Sequence, residues 1–152
     1  MSEFVSLDNA QVVPRSDYTA VINEIIAAGN CPFCNEHLPK HHKNPILFEN
    51  DSWILTKNGW PYAGTEFHLL VLAKRHVTEM TDLSETEQHH FFNCISWFKE
   101  TYTTTGWTVL WRNGDTALTG ASVNHLHAHI IVGQKKGEES ESITALVGFR
   151  PK

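Results

Sequence analysis

Two rhythms of apolar and polar positions run through this chain. Phe91, Ile95, Phe98 and Tyr102 recur at helical spacing, and Ser84-Glu85-Thr86-Glu87 has the spacing of a capping box. A helix is therefore predicted from Ser84 to about Thr103. A second one, over residues 16–28, places Val21, Ile25 and Ala28 on one face, with Ser16 as its cap and Gly29 as its stop. Short runs at 46–49 and 53–57 flank Asn50-Asp51, which reads as a hairpin turn. Further strands are predicted at 66–73, 107–111 and 125–132, whereas 31–45, 58–64 and 113–121 read as loops. Antiparallel strands interrupted by helices indicate an α+β fold rather than a doubly wound sheet.

Composition narrows the classes. A chain of 152 residues with 41% hydrophobic side chains fits one domain with a real core, and wholesale disorder is excluded. The core is expected over residues 17–132, with 1–16 and 134–152 peripheral. A formal net charge of −5 argues against a general nucleic-acid binder. The first 16 residues lack the basic start and apolar run of a signal peptide, and no stretch approaches the ~20 apolar residues needed to cross a bilayer. No membrane partner and a cytoplasmic location are the expectations. Three cysteines, two of them in Cys31-Pro32-Phe33-Cys34, are too few for a disulfide framework and suit metal or redox chemistry in a reducing compartment. Cys94 reads as a small core residue on its helix.

Ten histidines are the outlier. In a strand, His125, His127 and His129 share one face about 6.5 to 7 Å apart, while Leu126, Ala128 and Ile130 enter the core. Each buried ring needs a partner, so packing preference alone does not produce three in register. The run His125-Leu126-His127-Ala128-His129-Ile130-Ile131 resembles the signature of the histidine triad superfamily of nucleotide hydrolases and transferases. Gly120-Ala121-Ser122-Val123 and the segment from Phe67-His68 to His76-Val77 are similar to other elements of that family. Trp60-Pro61-Tyr62, with Lys74-Arg75-His76-Val77 and Asp82-Leu83, leans towards its galactose-1-phosphate uridylyltransferase branch. Ala73 stands where the family has proline, and Ala121 where it has an amide.

The resemblance implies an antiparallel sheet of about five strands with packed helices, commonly dimerised, and a single domain. It implies His127 as nucleophile, held by a carbonyl or second histidine with His68 in support. His129 would contact the phosphate and help the leaving group depart, and Ser122 would donate to a phosphate oxygen. Asn113 resembles a phosphate-contacting residue, although its loop is one residue longer than usual. Lys57 and Asn58 are both candidates to hold the ribose, and Trp60 is a candidate wall of the base pocket.

The C-x-x-C spacing suits two thiolates on one Zn²⁺. By proximity His37, His41 or His42 could complete the set, whereas the resemblance implies His76 and His125. With Cys31 and Cys34 these fill four positions, which makes the zinc structural. The functional expectation is hydrolysis at the α-phosphate of a nucleoside or dinucleoside polyphosphate, or a phosphoramidate, through a nucleotidyl-histidine. The alternatives are a nucleotidyltransferase or phosphorylase, or a catalytically silent zinc-stabilised nucleotide-binding module.

Overall fold

The alternating segments form one sheet. The computed structural model describes residues 2–12, 15 and 17–152. Its strands are β1 (Ile46–Glu49), β2 (Trp53–Lys57), β3 (Thr65–Ala73), β4 (Thr108–Arg112) and β5 (His127–Gly133). They are ordered β1-β2-β3-β5-β4, and every neighbouring pair is antiparallel. The β1–β2 hairpin closes on Asn50, whose Oδ1 accepts from the Ser52 and Trp53 N–H groups at 3.0 and 2.9 Å.

The helices described are α1 (Leu7–Val12), α2 (Tyr18–Ala28), α3 (Leu38–His41), α4 (Glu85–Thr101) and α5 (Thr116–Thr119). Both hydrogen bonds of the predicted capping box open α4. Gly29, at φ 68°, closes α2 by donating to Ile25 O and Ile26 O. The expected cap at Ser16 lies outside the described residues. Three helices fall where loops or no element were expected, because runs of four to six residues are too short to display a period.

The sheet separates two environments. On one face Trp53, Leu55, Leu69, Val71, Ala128 and Ile130 pack with Phe91, Cys94 and Phe98 of α4 to form the main core. The other face carries His68, Leu70 and Leu72 from β3 and His127 and His129 from β5; Ile22, Ile25 and Leu38 are buried in smaller clusters outside the main core. The ladder of β5 starts at His127 rather than His125. Leu126 instead donates to Val77 O at 2.7 Å and accepts from Ala73 N at 3.3 Å, so residues 125–126 pair with the end of β3 and the turn beyond it.

The segments expected at the periphery reach the same histidine-bearing side. Asn9 Nδ2 donates to Thr116 O and Ala121 O at 2.9 and 2.7 Å. Leu146 O accepts from Arg112 at 2.6 Å, and the Leu146 side chain lies so close to Gly120 (φ 72°) that a Cβ there would sit 2.6 Å from it. Among the described residues no helix is long and apolar enough to cross a membrane.

Candidate active site and metal group

Residues two apart on β5 share a face, which brings the His127 and His129 ring centroids to 5.2 Å. His68 reaches them from β3, where Leu70 pairs with His129 and places His68 on the diagonal. The backbone N–H of Tyr62 donates to His68 Nδ1 at 2.9 Å, so the His68 proton belongs on Nε2. That Nε2–H donates to His129 Nδ1 at 2.7 Å, which leaves the His129 proton on Nε2. His127 Nδ1–H donates to His125 O at 2.5 Å, so its Nε2 keeps a lone pair. Burial pushes the His127 pKa down to about 3. Burial also takes His68 to about 4, helped by the positive charges of Arg15 and Arg112. His129 moves well below the ordinary histidine range for the same reason, with neighbouring His127 and His68 adding. The three rings are neutral at neutral pH.

His127 and His129 line a cleft of about 930 Å³, the open space at its mouth included. Ser122, Asn58 and Trp60 line it too. Ser122 Oγ lies 2.5 Å from Tyr18 Oη. Asn58 Oδ1 accepts from Trp60 N at 2.8 Å, and its Nδ2 is 3.1 Å from His68 Nε2. The half-buried Trp60 tilts against Tyr18 at 5.1 Å. Lys57, the other ribose candidate, is exposed and does not line the cleft. Asn113, expected to contact phosphate, is not among the residues that line the cleft. The backbone turns at Gly114 (φ 80°), and Gly114 N–H donates to Thr78 O. Asn113 Oδ1 therefore accepts from Met80 N at 2.5 Å, and its Nδ2 donates to Glu79 Oε2 at 2.8 Å.

A second cluster adjoins the first. One ligand atom from each of Cys31, Cys34, His76 and His125 lies within 4.8 Å of all the others. Cys31 Sγ is 3.4 Å from His125 Nδ1, and Cys34 Sγ is 3.5 and 3.7 Å from Nδ1 of His76 and His125. Tetrahedral zinc with bonds of about 2.3 Å to sulfur and about 2.0 Å to nitrogen requires S···N edges of roughly 3.5 Å. The donor set fits. His125 Nε2–H donates to Ala73 O at 2.6 Å, which frees Nδ1 to act as a ligand. Burial and the neighbouring Cys31 push the Cys34 thiol up to about 12. His37, His41 and His42 stand outside this group.

The model of the HIT domain family matches residues 40–136. The chain belongs to the HIT domain family. Its fold is similar to that of a HIT family hydrolase from Legionella pneumophila Philadelphia 1, at 20% identity and a TM-score of 0.52, over 72% of this chain and 98% of that one. It is also similar to a hypothetical histidine triad nucleotide-binding protein from Sulfolobus tokodaii strain 7, at 19% identity and a TM-score of 0.55, over 79% and 81%. A Zn-bound histidine triad family protein from Mycobacterium smegmatis aligns at 17% identity and a TM-score of 0.50, over 74% and 82%. At these identities the likeness is one of fold.

Several residues of this HIT site escaped the sequence reading. Phe33, between the two cysteines, sets its ring edge-on to His127 at 5.0 Å. Arg112 pairs with His127 across β4 and β5, so alternation from the end of β4 could have aimed it at the site. Arg15 and the 144–146 segment also line the cleft and lie outside the matched HIT segment. No periodic signal marks either of them.

Proposed function

We propose that this HIT protein is a nucleotidyl hydrolase acting at the α-phosphate of a nucleotide, with His127 as the nucleophile. The observation that carries the reading is the His127 Nδ1–H bond to His125 O, which leaves an unprotonated Nε2 on a ring lining the cleft. In the first step the Nε2–P bond forms and the bond from phosphorus to the leaving oxygen breaks, its electron pair departing with that oxygen. Water then attacks phosphorus, the P–N pair returns to Nε2, and the nucleoside monophosphate is released with the water's proton passing to solvent.

The other residues follow from their proton positions. His129 Nε2–H and Ser122 Oγ–H donate hydrogen bonds to phosphate oxygens, whose charge shifts most in the transition state. His68 is a positioning residue that holds His129 in the required tautomer. Asn58 and Trp60 are the ribose and base contacts of this reading. Cys31, Cys34, His76 and His125 would hold Zn²⁺, which with four protein ligands supplies structure and no open coordination position. The names of the neighbours, a hydrolase, a nucleotide-binding protein and a Zn-bound protein, support the same reading.

The test is a panel of dinucleoside polyphosphates, nucleoside phosphoramidates and uridine diphosphate sugars, each with and without phosphate acceptors. The wild type is expected to release nucleoside monophosphate carrying one oxygen from labelled water. His127→Ala should lose roughly 10³-fold or more in kcat while keeping fold and bound metal. Wild-type rates in the variant would reject His127 as nucleophile, and capture of the nucleotidyl group by an acceptor would make the enzyme a transferase.

A further inference from the structure

Two guanidinium groups line this cleft, and among the described residues neither has a carboxylate partner. Arg112 is only 6% exposed. Its Nη1 donates to Thr119 O and Leu146 O at 2.9 and 2.6 Å, and its Nη2 donates to Tyr62 Oη at 3.0 Å. Arg15 lies over the Tyr18 ring, 4.0 Å from Cζ to centroid, and its Nη1 donates to Trp60 O at 3.1 Å. Its buried Nε–H finds no acceptor among the described residues. The ion pairs among those residues are His37–Glu36, Lys74–Glu49 and Arg75–Glu87, and no Asp or Glu lines the cleft. In a chain of net charge −5, this is a concentrated and uncompensated positive site. A buried cation held only by neutral acceptors is costly until an anion joins it.

Aromatic side chains tie this charge to the histidines. Tyr62, bonded to Arg112, stacks on His129 with centroids 5.6 Å apart. Tyr18, beneath Arg15, bonds to Ser122 Oγ. Each guanidinium therefore stands one side chain away from a proposed α-phosphate contact.

We propose that Arg15 and Arg112 form an anion subsite that holds a phosphate-bearing leaving group, so that the substrates are nucleoside di- or polyphosphate esters rather than phosphoramidates. This rests on the proposed function and adds the leaving-group class to it. As the P–O bond breaks, the electron pair leaves on a phosphate oxygen whose charge the two guanidiniums neutralise, and no proton is required. An amine would need one. The hydrogen-bond chain from His129 through His68 ends at the Tyr62 backbone N–H, which has no spare proton to pass on. Arg15 Nη2, which makes no hydrogen bond among the described residues and is not buried, is a donor open to the ligand.

Calorimetry in the His127→Ala background, where turnover cannot interfere, tests the subsite with AMP against ADP and UMP against UDP. The diphosphate of the accepted base should bind about tenfold or more tighter than its monophosphate. Arg15→Gln should shrink that ratio to about twofold or less, and Arg15→Lys, which keeps the charge without the fork, should fall between. Equal affinity for mono- and diphosphate, an intact preference in Arg15→Gln, or no binding of either pair at millimolar concentration overturns the subsite. Melting curves establish that each variant is folded; Arg15→Lys decides the question if Arg15→Gln is not. A wild type that turns over no substrate would defeat the hydrolase reading, while the binding ratio would still decide the subsite.

Discussion

His68 shows how much a single proton position controls. Its Nδ1 accepts from Tyr62 N–H while its Nε2–H serves His129, so a second proton would set two N–H groups against each other. Folding moves its pKa from the ordinary 6.5 to about 4, through burial first and the two arginines second. As pH falls the unfolded chain takes up the proton before the native one does. The stabilisation is therefore complete above pH 6.5 and is lost between there and about pH 4, with a ceiling of about 3 kcal/mol. Urea unfolding at steps from pH 7 to pH 4 should show declining stability, and His68→Asn should flatten the decline; an unchanged slope would remove His68 as its source. Residue-level reading of the sequence succeeded where alternation alone decides a face, as for His127 and His129. Alternation says nothing of Asn113, which lies beyond β4 beside a left-handed turn at Gly114 and bonds to Glu79 and Met80.

Elements were legible in proportion to their length and to the locality of their signals. The bounds of β1 and β2 match the expected segments, and α4 opens on its capping box, because the hairpin turn and the cap are each written within four residues. The short helices were not legible, and neither was the path of the C-terminal segment, whose partners lie far away in the sequence. That segment offers an element-level prediction. Leu146 gives Arg112 one carbonyl and packs on Gly120, yet no residue beyond 133 belongs to a buried core cluster. Deleting residues 143–152 should cost about 1 kcal/mol, a midpoint shift of about 2–4 °C, while KM rises as the cleft loses part of its lining. Thermal melts and steady-state kinetics on the truncated protein check this. A collapsed melting transition would mean that the segment belongs to the core.

At the scale of the whole molecule, the four metal-ligand candidates join the segment after α2 to the ends of β3 and β5. Cys31 and Cys34 follow α2, His76 follows β3, and His125 precedes β5. Chelation should lower the unfolding midpoint, and Cys31→Ser should carry less than one equivalent of zinc in elemental analysis; full occupancy in that variant would reject Cys31 as a ligand. The raised Cys34 pKa implies that zinc uptake by metal-free protein at pH 7 releases protons, which weakly buffered titration measures directly. The pairing of the cysteines was legible from their spacing. Their distant partners were not, since no local pattern links position 31 to position 125; those came from the family likeness.

His125 faces two ways. Its imidazole belongs to the candidate metal group, while its main-chain oxygen sets the tilt of His127, the proposed nucleophile. Tampering with the ion would then be felt first as poor aim at phosphorus, well before the scaffold itself gave way.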